Sequence, residues 1–342
     1  MKKLLALALT LLVLGGGITF VWLSRRPYRG YRGSVLVTIP PGAGARSAAE
    51  LLTAHGVLRS RLPFLALYLL GRPRRRTLKA GEYLFDHAVS PRDVYWKLAR
   101  GEVFYHLVVI PEGSDRFDMA RIFHDRLELD PEAFLRATGD TGLIRDLDAQ
   151  APTLEGYLFP DSYRFPASTT AAAAVQTMVV RFRQVLSSRL LQDLGGQNLH
   201  RVLTLASLVE KETPDPAERP EIAGVFTRRL QLGMLLDCDP TVIYAARLES
   251  ESGSAGERCS GPITANQLSL TSPYNTYRYR GLPPGPICSP GAASIEAALH
   301  PAPGDALYFV SNLHGGHTFA RTLEEHHRNV VHYRREAAQP RN

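Results

Sequence analysis

Leu4 to Leu23 is a run of twenty residues without a single charge. At helical rise such a run covers about 30 Å, the depth of a bilayer's hydrocarbon core. Lys2 and Lys3 precede it, and Trp22, Arg25 and Arg26 mark its far end. A cleaved signal peptide would be shorter and would end in small residues of the A-x-A kind, which "ITFVWLSRR" does not offer. The run therefore reads as an uncleaved anchor, with Gly15, Gly16 and Gly17 its weakest point as a helix. Basic residues on both sides leave the positive-inside rule nearly silent. A short tail before one span, with everything else after it, favours a body facing outward.

The net charge of +7 is distributed to match. Residues 1–110 carry 17 Lys/Arg against 5 Asp/Glu, while the remainder carries 23 against 28. The basic clusters are Arg25, Arg26, Arg29 and Arg32, then Arg72, Arg74, Arg75, Arg76 and Lys79. Lipid headgroups, an acidic polymer and nucleic acid are all compatible with such an excess. Its position beside a membrane span favours headgroups and argues against nucleic acid. Cys238, Cys259 and Cys288 have no metal-ligand spacing and cannot all pair. One disulfide is possible in an exported body, and three small unpaired residues is the plainer reading.

Punctuation divides the rest. Residues 25–33 read as a short polar linker, and 34–109 as a compact α+β module. In it, "SVLVTI" (34–39) and "KAGEYLF" (79–85) are strands. "SAAELLTAHGVL" (47–58) is a helix capped by Ser47 and stopped by Gly56; "SPRDVYWKLARG" (90–101) repeats the grammar with Ser90, Pro91 and Gly101. Residues 110–342 form a larger region with helices expected near 116–126, 131–138, 170–190, 218–232 and 292–300, and a strand at 307–311. Helices and strands do not alternate regularly, so α+β suits better than a wound parallel sheet. The polar loop 248–261 and the Pro/Gly/Tyr-rich stretch 272–291 interrupt it.

Within "LASLVEKETP" (205–214) two glutamates close an otherwise apolar helix. From Leu199 the apolar positions 202, 203, 205, 206, 208 and 209 cover nearly the whole circumference, so the helix is buried on all sides. Glu210 and Glu212 lie 200° apart on the wheel at 100° per residue, so they face opposite ways and cannot form the carboxylate pair of an ordinary glycosidase. The helix C-terminus and the apolar setting both raise a carboxyl pKa, as a general acid requires. Either Glu could instead pair with Arg219 or Arg228, and periodicity does not choose between them.

An ordered set of motifs goes further. "EGYLFPDSYRF" (155–165), "ASLVEKET" (206–213), "ERPEIAGVFTRRLQLGM" (218–234), "DPTVIY" (239–244), "SPYNTYRYRGLPPGPICSPG" (272–291) and "YFVSNLHGGHTFARTLEEHHRNV" (308–330) follow one another in the chain. Together with "IPPGAGARSAAELLTAHGVLRS" (39–60) and "LKAGEYLF" (78–85), they resemble the MltG/YceG-like endolytic murein transglycosylases. The resemblance implies an N-terminal membrane anchor (1–24), a LysM-like module (34–109) and a catalytic domain (110–342) with an active-site helix. The bacterial cytoplasmic membrane is the implied location, with the catalytic domain on its outer side.

The catalytic Glu of lytic transglycosylases is typically followed by a hydroxyl residue, so the resemblance assigns Glu212, before Thr213, as the acid and base. Glu210 takes a supporting or structural role, and Glu155 and Asp239 orient groups beside the acid or cap turns. Tyr274, Asn275 and Tyr277 offer rings and amides to sugars, unless their loop is merely packed by its own tyrosines. His317, Glu325 and His326 line the cleft or fix the local fold. Cys238 and His327 depart from the usual pattern. No cofactor is implied, and no metal, since zinc needs three or four convergent ligands. Implied partners are peptidoglycan strands, cytoplasmic-membrane lipids and peptidoglycan synthases (penicillin-binding proteins). Competing readings are a non-catalytic cell-wall scaffold and a metal-dependent hydrolase.

Overall fold

The computed structural model describes residues 2–71, 77–186, 193–250 and 263–338. The chain divides into two compact units. The first comprises residues 1–106 with 164–169, the second 107–163 with 170–342. The division after residue 106 falls close to the Pro111-Glu112-Gly113 punctuation, whereas nothing in the sequence marks the short return segment 164–169.

The first unit opens with α1, Lys2–Arg25. Its apolar span Lys3–Arg25 is long enough to cross a membrane, and most of it is exposed, with only its C-terminal end, around Phe20 and Ser24, covered by the unit. Strands β1 (Val35–Ile39) and β2 (Gly81–Phe85) pair antiparallel with Val35 opposite Phe85 and Ile39 opposite Gly81. Helices α2 (Ala45–Ala54), α3 (Arg61–Gly71) and α4 (Pro91–Arg100) complete the unit. Alternation puts Val37, Ile39, Tyr83 and Phe85 of the strands into one core with Leu52, Phe64, Val94 and Leu98 of the helices. The α4 start is as written in the sequence: Ser90 and Asp93 form a reciprocal capping box, Pro91 opens the helix and Gly101 closes it with φ +73°. Helix α2 differs, because it begins two residues before Ser47, after Gly44, with no side-chain cap.

The expected linker is not a linker. Tyr28 pairs backbone to backbone with Val89, the Gly30 amide donates to the Gly56 carbonyl at 2.9 Å, and the Tyr31 hydroxyl donates to His87 O. These bonds lay residues 28–31 against the module. The polar composition that suggested a free tether reflects exposed side chains on a docked backbone.

In the second unit, β3 (His106–Val109, its first residue in unit one) leads to α5 (Arg116–Leu127) and α6 (Pro131–Ala137). After β4 (Ser162–Phe165, its last two residues in unit one) come α7 (Ala171–Val185), α8 (Leu199–Glu212), α9 (Arg219–Gln231) and α10 (Asp239–Glu249). A short α11 (Ala265–Leu268) precedes α12 (Ala292–Leu299). The antiparallel pair β5 (Tyr308–Ser311) and β6 (His317–Ala320) then leads into α13 (Leu323–Ala337). Every residue from Val202 to Val209 is buried, because α8 packs against α9, α10 and α12. This agrees with the all-round apolar pattern. Strand β4 and helices α10 and α11 carry no comparable signal in the sequence. The polar loop expected from 248 to 261 lies outside the described residues from 251 onward.

Candidate active site

Helix α8 starts at Asn198, whose side chain accepts from the Arg201 amide, and ends where Thr213 turns extended (φ −139°, ψ 135°) ahead of Pro214. Its last turn delivers Glu210 and Glu212 into different surroundings. Glu210 Oε1 accepts from Arg219 Nη2 at 3.1 Å and Oε2 from the Gly291 amide at 2.9 Å. Both side chains of this ion pair are only 5% exposed. One carboxylate is thus fixed inside the protein by a charge and an amide, which is the pairing with Arg219 that the sequence allowed.

Glu212 is half-buried. Desolvation is the main influence on its carboxyl, with the neighbouring Asp239 adding to it. A hydrogen bond from the Cys238 thiol, His317 and Arg229 pull the other way, and the balance leaves the pKa at about 7. Helix α10 supplies Cys238 and Asp239 at its start. Cys238 is held on both sides: its amide donates to Thr276 Oγ1 at 3.1 Å, and its carbonyl accepts from Thr241 Oγ1 at 2.6 Å. The Tyr277 hydroxyl donates to Asp239 Oδ1. Burial, with that carboxylate as acceptor, drives the Tyr277 phenol far above its ordinary range.

A second network reaches the same turn. Glu218 stands at the N-cap of α9 yet makes no side-chain cap bond. Its carboxylate instead accepts from the His317 amide at 2.7 Å, meets His317 Nδ1 at 2.8 Å, and accepts from Thr213 Oγ1 at 3.1 Å. Desolvation works against the charged form, and these bonds outweigh it, so the Glu218 carboxyl sits below its usual range. A Cβ on Gly316 would come within 2.4 Å of Glu218 Oε1, so only glycine leaves room for this contact. Arg229, also close to Glu212, donates to the Leu236 carbonyl, Asp237 Oδ2 and the Leu307 carbonyl, with its guanidinium over the Tyr308 ring.

The expected site residues therefore separate. Glu212, Asp239, Tyr277 and His317 converge. Glu155 does not join them. It is buried elsewhere, accepting from the Arg116 amide at 3.0 Å and the Tyr244 hydroxyl at 3.1 Å, with Asp115 beside it. Desolvation and then Asp115 raise its carboxyl far above the usual range. Tyr274 belongs to that cluster, its ring 5.1 Å from that of Tyr244. Asn275 is fully buried, and its amide is engaged by its own loop. Nδ2 donates to the Leu268 and Leu270 carbonyls, and Oδ1 accepts from the Tyr277 amide. It shapes the loop and has no reach to a sugar.

Glu325 caps α13 in a reciprocal box with Thr322 and also accepts from the Arg321 amide. His326 stacks on Tyr308 with ring centroids 5.3 Å apart. Cys238 and Cys288 are buried free thiols, and Cys259 lies outside the described residues. Among the described residues no three His, Cys, Asp or Glu side chains are grouped to hold a metal. Thr213, Glu218 and Arg229 join the site without having stood out in the sequence. The Glu-Thr pair hints at the first, but a contact between Glu218 and His317, 99 residues apart, leaves no local pattern.

Chemically, this is one carboxyl group that exchanges its proton near neutrality, beside an exposed carboxylate, with a fixed Glu–His pair behind it. It suits acid catalysis followed by base catalysis at a single oxygen-containing centre.

The profile of the YceG-like family matches residues 37–332. A Bacillus subtilis protein named endolytic murein transglycosylase is 30% identical over 312 residues, covering 86% of this chain and 83% of its own length. A Streptococcus pneumoniae D39 protein of the same name is 31% identical over 329 residues, and the match spans 87% of this chain but 58% of that longer protein. The crystal structure of a YceG-like protein from Listeria monocytogenes is similar with a TM-score of 0.59 at 30% identity, over 87% of this chain and 99% of that one.

Proposed function

The chain belongs to the YceG-like family, and on that premise we propose that it is a membrane-anchored endolytic murein transglycosylase with Glu212 as its single catalytic acid and base. The observation that carries the reading is the contrast within one helical turn. Glu210 is neutralised by Arg219 and the Gly291 amide, whereas Glu212 titrates at about 7. The names of the Bacillus and Streptococcus relatives support murein as the substrate.

In this mechanism protonated Glu212 donates to the oxygen joining N-acetylmuramic acid to N-acetylglucosamine as positive charge develops at the muramoyl C1. The resulting carboxylate then accepts the proton of the muramoyl 6-hydroxyl, whose oxygen closes onto C1. One proton leaves Glu212 and one returns, and the product is a 1,6-anhydro end. The nucleophile belongs to the substrate and is held within bonding reach of C1, so no second catalytic carboxylate or positioned water is required. Asp239 favours the transition state through its negative charge near the developing cation. The His317–Glu218 pair, with Thr213, holds the last turn of α8 in register.

In the same reading, α1 anchors the chain in the cytoplasmic membrane with both units outside. The first unit is a LysM-like module that holds glycan, and peptidoglycan synthases supply the nascent strand. The test is digestion of purified peptidoglycan, with products identified by mass spectrometry. Anhydro-ended fragments are expected from the parent protein and none from Glu212→Gln. Anhydro products from Glu212→Gln at the parental rate would refute the assignment.

A further inference from the structure

The first unit has apolar surface that its own core does not use. Helix α3 turns Phe64 inward, fully buried. Leu62 and Leu69, seven residues apart and so about 20° from each other on the wheel, point the opposite way. They are 70% and 59% exposed, and Leu70 beside them is 69% exposed. A helix apolar on both sides needs a second cover.

The anchor shows what that cover is. Its last turn does not hang free: Ser24 is buried, Phe20 is half-buried, and α1 packs against α3 and α4. Residues 28–31 are bonded to the module directly after it. There is no spacer, so the surface from which α1 emerges is held at the level where the span leaves the bilayer. Trp22, exposed and capped by the Arg26 guanidinium 4.7 Å from its ring centroid, suits an interfacial position. Between the anchor and the module lies a cavity of about 470 Å³, lined by Trp22, Leu23, Leu58 and Pro63, with Arg26 and Arg59 also in its wall.

Charge fits the same occupant. On the module's side of the span, residues 24–71 contain seven Arg, no Lys and a single acid, Glu50, which is paired with Arg61 at 3.2 Å. Anionic headgroups complement that balance, and apolar side chains beside basic ones are the composition of an interfacial helix.

We propose that the first unit is seated on the membrane: the outer face of α3 enters the headgroup and acyl boundary of an anionic leaflet, and the α1–α3 cavity takes lipid from that leaflet. This rests on α1 being a membrane span and makes a separate claim about the module. The anchor then fixes an oriented platform at the bilayer surface.

The test uses the full chain in bilayers of phosphatidylglycerol and phosphatidylcholine carrying brominated acyl chains, which quench nearby tryptophan. The chain has two tryptophans, Trp22 and Trp96. With Trp96→Phe, Trp22 reports the end of the anchor. With Trp22→Phe, Trp96→Phe and Leu69→Trp, the new indole reports α3. Glu102→Trp in the same background places an exposed control indole elsewhere in the unit. Quenching of the Leu69→Trp form should exceed that of the Glu102→Trp form several-fold, and should weaken when phosphatidylglycerol is replaced by phosphatidylcholine. Quenching of Trp22 with none at Leu69→Trp would overturn the docking while leaving the anchor intact. No quenching at either position would overturn the span as well. Circular dichroism of each variant establishes that the fold is retained.

Discussion

The two faces of the last α8 turn differ by almost everything except residue type. On one, Glu210 is an internal structural ion with two fixed donors. On the other, Glu212 has a thiol, a nearby carboxylate and a shared Glu–His network, and its proton affinity is poised near neutrality. The lesson is that burial alone does not make an acid. Glu210 is tied into a fixed ion pair, whereas desolvation and the neighbouring Asp239 raise the Glu212 pKa to about 7 against the pull of Cys238, His317 and Arg229.

The largest expected effect comes from removing the working side of this comparison. Glu212→Gln should lower the rate of anhydro-end formation by about 10³-fold or more, within the range of positioned acid–base catalysis. Glu210→Gln should stay within about tenfold, because the proposed chemistry does not pass through it. Single-turnover digestion followed by chromatography of the fragments distinguishes the two.

Stability should invert the order. Arg219→Met strands a buried carboxylate and should cost about 3–5 kcal/mol, read by urea unfolding. Glu212→Gln should instead stabilise at pH 8. The Glu212 pKa is raised from its unfolded value of 4.5 to about 7, so the native state binds its proton more tightly than the unfolded state does. Its contribution is fully present below about pH 4.5 and is lost as pH rises through 7. The variant has no such loss, so its thermal midpoint should exceed the parent's at pH 8, with the gap closing at pH 4.5.

Next is the pH profile of turnover. Activity that needs protonated Glu212 should fall as pH rises through about 7. Cys238→Ala removes a bond that favours the carboxylate, so the falling limb should move to higher pH; Cys238→Ser, which keeps a donor, should leave it closer to the parent. A limb unmoved in the alanine variant would detach Cys238 from the acid. The smallest effect belongs to Glu325→Ala, which removes one half of the capping box of α13 and leaves the Thr322 cap bond in place. It should cost about 1 kcal/mol of stability, seen in urea unfolding, and leave the pH profile unchanged.

Much of this was legible in the sequence because it is local. The α4 cap, the stop at Gly56 (φ +73°), the all-round burial of α8 and the opposite facing of the two glutamates follow from spacing and side-chain chemistry alone. Residues 25–33 misled because a docked backbone and a free tether share a polar composition; only the bonds to Val89 and Gly56 separate them. Asn275 misled for a related reason: an amide suited to sugars is equally suited to tying its own loop. Strand β6 hid behind its histidine and glycines, and its pairing with β5 brings His317 to Glu218 from across 99 residues. No periodicity encodes such a contact.

The proposed chemistry turns on where the attacking oxygen comes from. Peptidoglycan digested by the full chain in ¹⁸O-labelled water should give muropeptides with unlabelled anhydro ends and no ¹⁸O by mass spectrometry. Reducing termini that carry ¹⁸O would contradict it, because solvent would then be the nucleophile and a second carboxylate, Asp239 foremost, would have to activate it.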